Sequence, residues 1–221
     1  MKKMIVTIDG PAGAGKTTVS RALARRLNYR HVDTGALYRG VALEALAAGV
    51  SPDDDQALER VCDAMDLTFV NDGQTQRLFS GETDITDDIR ADEISMAASL
   101  FSAKPLVRKC LLETQKKMGA EKCAVFEGRD MGTVVFPEAD VKFFLTASEK
   151  ARALRRFKEI SPDSGVAFDQ VQKDMRTRDE NDSTRSIAPL KPAKDAIVID
   201  SSDLSATDVV EMMLQRIMDK K

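Results

Sequence analysis

Short runs of apolar residues recur along the chain and alternate with segments of helical periodicity. The runs are rich in Val, Ile and Phe, and they occupy residues 4–8, 29–32, 123–126, 141–145 and 196–199. Strands of a parallel sheet have this continuous apolar character, because helices bury both faces of the sheet. The pattern therefore predicts a three-layer α/β/α fold around a five-stranded parallel sheet.

Helix start signals fall between these runs. Serine side chains accept hydrogen bonds from the first backbone N–H groups of a helix, and proline is favoured in the first turn. On these grounds we expect one helix over residues 16–26 and another that begins at Ser51-Pro52. A third is expected over 106–118, opened by Ser102 to Pro105. A fourth is expected over 149–159, capped by Ser148, and a last helix follows the cap Ser205.

Two segments depart from the alternation. Residues 66–100 contain the apolar runs 67–70 and 77–79 on either side of Asn71-Asp72-Gly73, which predicts a small hairpin. Residues 160–192 are polar and contain several prolines and arginines, which predicts a mobile lid, with a solvated helix pair as the alternative. We expect one domain, with a core over 1–60, 103–159 and 193–221, an insertion over 61–102 and a lid over 160–192.

Composition narrows the class of protein. A chain of 221 residues suits one sizeable domain, and no apolar run approaches the roughly 20 residues of a membrane helix. The net charge of −3 gives no general attraction to nucleic acid. The three cysteines are widely spaced, which indicates neither a disulfide framework nor a zinc site and favours the cytoplasm. The single histidine, His31, is expected to have a half-buried structural role.

A glycine-rich octet follows the first apolar run. It consists of Gly10, Pro11, Ala12, Gly13, Ala14, Gly15, Lys16 and Thr17, and it fits the pattern G-x-x-x-x-G-K-[ST]. Such a loop turns consecutive N–H groups toward phosphates at the start of a helix. Lys16 would reach the outer phosphates and Thr17 would offer a hydroxyl to Mg²⁺, so the sequence predicts binding of a nucleoside triphosphate.

The ends of the other predicted strands are polar, as expected of ligand-binding edges in open α/β sheets. Thr34, Tyr38 and Arg39 follow the second strand in a pattern that suits a phosphate or a nucleotide. Glu127 and Arg129 follow the third strand, where Glu127 could hold Mg²⁺ through water and Arg129 could bind an anion.

Arginines cluster in the last third of the chain. Arg152, Arg155 and Arg156 share one predicted helix, where they would repel each other without a nearby anion; a solvated basic face is the alternative interpretation. With Arg178 and Arg185, this inventory suits transfer of a phosphoryl group between two phosphates.

Four segments together resemble the bacterial cytidylate kinase family, and the resemblance covers nearly the whole chain. They are residues 10–17, 33–39, 127–137 and 185–190. The most specific element is Gly-Arg-Asp-Met-Gly-Thr-Val-Val-Phe-Pro, which lies in the third of these segments. The resemblance implies a P-loop kinase that uses Mg²⁺ and ATP to phosphorylate CMP or dCMP as a monomer, with the 61–102 insertion binding the monophosphate.

The resemblance also implies roles for individual residues. The ATP-binding set is the octet with Thr18, Arg152 and Arg156, and the metal residues are Thr17 and, through water, Glu127. The catalytic set is Lys16, Arg129, Arg156, Arg178 and Arg185. The CMP-binding set is Thr34, Gly35, Tyr38, Arg39, Ser99, Arg108, Arg129, Asp130, Arg178, Asp182 and Arg185, within which Ser99, Arg108 and Asp130 would recognise the cytosine and Arg178 and Asp182 the ribose.

Two other functions remain open from the residues. A small-metabolite kinase of the shikimate type would share the loop and the sheet, but it would not need the insertion or a second set of arginines. A non-catalytic nucleotide switch is disfavoured by the absence of an N-K-x-D or T-K-x-D motif.

Overall fold

The computed structural model describes residues 3–71, 76–160 and 165–220, and the chain divides into two compact units. The first unit comprises Met1–Val32 and Gly119–Lys221, and the second comprises Asp33–Met118. In chain order the elements are β1 (Ile5–Asp9), α1 (Lys16–Leu27), β2 (Arg30–Asp33), α2 (Thr34–Ala47), α3 (Asp55–Ala64), β3 (Leu67–Asn71), β4 (Gln76–Ser80), β5 (Thr83–Asp84), α4 (Asp92–Ser102), α5 (Pro105–Gly119), β6 (Ala124–Gly128), β7 (Val141–Thr146), α6 (Glu149–Glu159), α7 (Phe168–Thr184), β8 (Ile197–Asp200) and α8 (Ala206–Asp219).

The first unit contains a five-stranded sheet in the order β2-β6-β1-β7-β8, which confirms the five predicted strands and the α/β class. Strand β1 is parallel to both β6 and β7, and β7 is parallel to β8. The register pairs Asp9 with Gly128, so β1 and β6 end at the same edge of the sheet. Val6, Ile8 and Phe143 are buried in the core beside the sheet, where the transfer of their apolar surface out of water stabilises the fold.

Helix caps in the first unit follow the sequence signals. Ser148 accepts a hydrogen bond from the backbone N–H of Ala151 at the start of α6. Ser205 and Asp208 form a reciprocal capping box at the start of α8. Both caps confirm the predicted helix starts.

Residues 160–192 contain helix α7 and the turns that follow it, while residues 161–164 lie outside the described residues. Val171 and Met175 of α7 pack with Ala153 of α6 in a small apolar cluster. Helix α7 is compatible with both interpretations of this segment, a lid and a solvated helix pair. Closure of the segment as a lid stays a prediction.

The second unit combines a three-stranded antiparallel sheet, in the order β3-β4-β5, with helices α2 to α5. Strands β3 and β4 confirm the hairpin, and the predicted turn residues Asp72 and Gly73 lie outside the described residues. This unit extends on both sides of residues 61–102, and the assignment of that range as the monophosphate-binding insertion stays a prediction.

In this unit α5 begins at Pro105 as expected, but the expected start of α3 and the expected role of Ser102 were wrong. Helix α3 begins after Asp54, whose carboxylate accepts from the N–H of Ala57, whereas the hydroxyl of Ser51 accepts from the N–H of Asp53 in the preceding turn. Ser102 does not open α5; it is the last residue of α4, a helix that the hairpin interpretation of residues 66–100 missed.

Within residues 3–71, 76–160 and 165–220, no helix is both long enough and apolar enough to cross a bilayer.

Candidate functional site

The glycine-rich octet forms a tight loop between β1 and α1. Gly15 has φ 88° and is the left-handed residue from which α1 begins at Lys16. Gly10 has φ 153°, and a Cβ atom there would lie 1.9 Å from the carbonyl oxygen of Leu145. Only glycine fits so close to the neighbouring strand, so these positions keep the loop against the edge of the sheet.

Lys16 is folded back onto the loop. Its Nζ donates to the carbonyl oxygen of Pro11 at 2.7 Å, and the residue is buried. Burial lowers the pKa of Lys16 well below its usual range, and the positive charge of Arg129 lowers it further. An anion beside Lys16 would reverse both effects, since it would stabilise the charged ammonium group.

Thr17 and Glu127 lie together at the ends of α1 and β6. The hydroxyl of Thr17 donates to Oε2 of Glu127 at 2.9 Å, and Oε1 of Glu127 lies 2.8 Å from Nε2 of His31. A hydroxyl and a carboxylate are oxygen donors of the kind that Mg²⁺ prefers, so the two predicted metal residues fit that ion. Thr18, the next residue of the predicted ATP-binding set, is exposed.

Asp9, the last residue of β1, holds the segment that follows β6. Its two carboxylate oxygens accept from the backbone N–H groups of Met131 and Gly132, both at 2.8 Å. These residues begin a single π-helical turn at Met131–Val135, and such turns are frequent at functional sites. Burial raises the pKa of Asp9 to about 6, although the two N–H donors act in the opposite direction.

Helices α6 and α7 both contact the glycine-rich loop. The guanidinium of Arg152, in α6, donates to the carbonyl oxygens of Ala147 and Ala12, each at 3.0 Å. The same group forms an ion pair with Asp179 of α7, whose other oxygen accepts from the N–H of Ala12. Arg152 and Asp179 therefore hold Ala12 of the loop through its carbonyl oxygen and its N–H group, respectively.

The other two arginines of α6 also have partners. Arg155 donates to the carbonyl oxygen of Ala14 at 3.4 Å and to the hydroxyl of Ser201 at 3.1 Å. Arg156, which is partly exposed, forms an ion pair with Glu159 at 3.2 Å. The repulsion that the sequence predicted for this cluster is thus relieved by carboxylates and carbonyl groups of the protein itself.

A second charged cluster lies after β6 and at the end of α7. Nε of Arg129 donates to Asp182 at 2.9 Å, and Arg185 lies 3.7 Å from both Asp182 and Asp130. Burial acts to raise the pKa of Asp182, but the charges of Arg129, Arg178 and Arg185 outweigh it and hold that pKa below its usual range. The structure thus brings together five of the predicted CMP-binding residues.

The remaining predicted CMP-binding residues lie in the second unit. Thr34 and Gly35 begin α2 after Asp33, and Oδ2 of Asp33 accepts from Arg39 at 2.9 Å. In the part of the chain that the structure describes, the buried Nε of Arg39 has no hydrogen-bond partner, so it is a donor that an anion could use.

Arg108 of α5 lies in the same unit as Tyr38. Its guanidinium carbon is 5.4 Å from the centre of the Tyr38 ring, a cation–π distance, and it donates to the carbonyl oxygen of Ser102. Ser99 and Arg108 are both buried. Polar side chains buried in this way have a fixed orientation, which recognition of a base requires.

Sequence reasoning missed the contacts of Asp9 and Asp179, and it missed the contact between His31 and Glu127. Asp9 directly precedes the octet, so its position at the end of β1 was a usable signal. The partners of Asp179 and His31 are distant in sequence, and no local pattern indicates them.

Comparison with solved structures supports the fold. A crystal structure of an uncharacterized protein from Eubacterium ventriosum matches with a TM-score of 0.53 and 14% identity, covering 97% of this chain and 98% of that one. Shikimate kinase from Acinetobacter baumannii, in complex with shikimate, matches with a TM-score of 0.51 and 15% identity, covering 100% of this chain and 96% of that one. At these identities the likeness concerns the fold alone.

Comparison of sequences is more specific. The cytidylate kinase family model matches residues 6–219. The cytidylate kinase of Geobacter sp. (strain M21) is 45% identical over 98% of this chain and 94% of its own length, and that of Halalkalibacterium halodurans is 41% identical over 97% of each. Since the match runs from β1 to the end of α8 and includes both charged clusters, this chain belongs to the cytidylate kinase family.

Proposed function

We propose that this protein transfers the γ-phosphoryl group of ATP to CMP or dCMP, giving ADP and CDP or dCDP. As a member of the cytidylate kinase family, the chain is a phosphotransferase of the nucleoside monophosphate kinase type. The observation that carries the proposal is the cluster of Arg129, Asp182 and Arg185, which lies in the same compact unit as the glycine-rich loop.

The donor nucleotide is assigned to the glycine-rich loop, residues 10–17, together with Thr18, Arg152 and Arg156. Lys16 moves from the carbonyl oxygen of Pro11 to the outer phosphates, whose negative charge stabilises the ammonium group. Thr17 and Glu127 would hold Mg²⁺, Glu127 through water, and the ion would supply positive charge that neutralises the outer phosphates. Arg152 borders the adenine while it keeps Ala12 in place.

The resemblance to the family assigns the acceptor phosphate to Arg129 and Arg185. It also assigns Thr34, Gly35, Tyr38 and Arg39 to the binding of the monophosphate. Arg178 and Asp182 bind the ribose. Guanidinium groups suit this task because they donate two parallel hydrogen bonds to phosphate oxygens.

The cytosine is assigned to Ser99, Arg108 and Asp130. Cytosine has a donor amino group and acceptor ring atoms, so a carboxylate and an arginine complement its edge. Uracil has a carbonyl oxygen where cytosine has the amino group, and an ionised Asp130 would face an acceptor there. The protein is therefore expected to discriminate against UMP.

The chemical step needs no general base, because the attacking phosphate oxygen is already ionised near neutral pH. Lys16, Arg129, Arg156, Arg178 and Arg185 stabilise the charge of the transferring group and hold the two nucleotides in line. Closure of the segment 160–192 over the nucleotides would exclude water and so suppress hydrolysis of ATP.

The proposal is tested by measuring ADP release with Mg-ATP and, in separate assays, CMP, dCMP, UMP, AMP and shikimate. Turnover that depends on CMP or dCMP and is much weaker with UMP supports it. Turnover with shikimate alone, or no turnover with any acceptor, would overturn it.

Variants then separate recognition of the base from general damage. Arg108→Ala and Asp130→Asn should each raise the KM for CMP with little change in the KM for ATP. The matched control is Arg90→Gln, which removes an exposed arginine from the second unit and should change neither constant. Cytoplasmic location and the absence of nucleic-acid partners stay predictions from composition, and a monomeric state stays a prediction from the family resemblance.

A further inference from the structure

The single histidine of the chain lies beside a residue of the candidate metal site. His31 is on β2, which neighbours β6 in the sheet, and Glu127 is near the end of β6. Nε2 of His31 and Oε1 of Glu127 are 2.8 Å apart. The two side chains are only 10% and 3% exposed, so water competes weakly for this hydrogen bond.

The contact fixes one end of the Glu127 carboxylate while Thr17 fixes the other. A carboxylate oxygen can only accept, so Nε2 of the His31 ring carries the hydrogen that is donated. The hydroxyl of Thr17 donates to Oε2, which leaves the lone pairs of the hydroxyl oxygen for a cation. Because glutamate has three side-chain torsions, two such contacts are needed to hold its carboxylate in one orientation.

We propose that His31 is a positioning residue for the metal ion: it holds Oε1 of Glu127 so that Oε2 stays beside Thr17, where the ion and its water are bound. The inference rests on the proposed function, because the metal matters there as the partner of ATP. Hydrogen-bonded partners behind metal-binding groups typically change metal affinity 10–100-fold when they are removed.

The first experiment compares His31→Leu, His31→Gln and the wild type for the Mg²⁺ concentration that gives half-maximal rate at fixed ATP. The leucine variant should need about tenfold more Mg²⁺, with an unchanged KM for CMP. The glutamine amide can donate to Glu127, so it should restore most of the wild-type requirement. Arg30→Gln, on the same strand but exposed, is the control and should match the wild type.

An unchanged Mg²⁺ requirement in His31→Leu, in an active protein, would overturn the inference. So would a loss in His31→Leu that persists undiminished when Glu127 is already glutamine, because a residue that acts through Glu127 should add nothing there.

The second experiment needs no variant and no turnover. Since the chain has one histidine, its ring gives a single set of imidazole signals in the NMR spectrum of the full-length protein. Addition of Mn²⁺ with ATP should broaden that set, whereas Mg²⁺ with ATP should not, and signals that stay sharp with Mn²⁺ at saturating ATP would overturn the inference. If Mn²⁺ with ATP broadens the histidine signals of the wild type but the protein shows no CMP-dependent ADP release, the proposed function fails while the position of His31 is supported.

Discussion

Replacing Asp9 with asparagine should change how the stability of this protein depends on pH. The carboxylate is buried at the end of β1, where it accepts from the N–H groups of Met131 and Gly132 and faces the charges of Asp130 and Lys16. An asparagine has nearly the same shape and does not titrate. Its amide oxygen can replace one acceptor, and the N–H group left unpaired costs about 1–3 kcal/mol at every pH.

The size of the pH effect follows from the pKa. Burial raises the pKa of Asp9 from its ordinary value of 3.8 to about 6. Between those values the folded protein keeps a proton that the unfolded chain has released, so stability decreases as pH rises through this window. A difference of about 2 units at 1.36 kcal/mol each gives about 3 kcal/mol. The wild type should therefore lose about 3 kcal/mol relative to Asp9→Asn between acid and neutral pH.

Urea unfolding of both proteins from about pH 4.5 to about pH 7.5 should show about 2 kcal/mol of this difference, because the rest develops below pH 4.5, where the unfolded chain also takes up the proton. Asp208→Asn is the control: Ser205 holds the pKa of Asp208 below its usual value, so this exposed group stabilises the fold above the unfolded pKa and the benefit disappears as pH falls. Asp208 therefore titrates below this range, and its difference from the wild type should stay nearly constant between about pH 4.5 and about pH 7.5. A difference for Asp9→Asn that is as independent of pH as that of the control, or one in which the wild type gains stability as pH rises, would refute the reasoning.

Further substitutions test the glycine-rich loop. Gly10→Ala would place a Cβ atom 1.9 Å from the Leu145 carbonyl oxygen, and it should destabilise the protein by about 3 kcal/mol or more in urea unfolding; a cost below about 1 kcal/mol would mean that the loop is not packed as described. Arg152→Ala would leave Asp179 without its ion pair and Ala12 without a donor, which should cost about 3 kcal/mol and raise the KM for ATP more than that for CMP. Equal changes in the two KM values would contradict the role of Arg152 at the ATP side.

The strands and the glycine-rich loop could be predicted because their signals are local. A buried parallel strand has a continuous apolar run, and the loop requires glycine at positions such as Gly15, which has φ 88°. Helix α4 also had a usable signal, since Ile94, Ala98 and Phe101 are spaced by four and three residues and all three are buried.

The start of α3 could not be chosen from local signals alone. Ser51 and Asp54 are both good N-cap residues, and the sequence offers them three positions apart. The helix begins after Asp54 and packs Leu58 into the core of the second unit, where it is fully buried. The choice between the two caps thus depends on tertiary packing.

The pairing of charged residues was beyond sequence reasoning for the same reason. Arg129 meets Asp182 across 53 positions, and Arg152 meets Asp179 across 27. The sequence indicated that the arginines need anions, but only the fold determines which carboxylates supply them.

Arg129 and Arg185 form ion pairs with Asp182 and Asp130 within the protein itself. The aspartates neutralise the arginines before any ligand arrives, so the fold needs no bound anion to form. An anion that binds there competes with the carboxylates for the guanidinium groups, and a carboxylate that loses its arginine needs another donor. Chloride or sulfate offers no such donor. A molecule with a phosphate and with hydroxyl or amino groups provides an anion for the arginines and a hydrogen-bond donor for the aspartates.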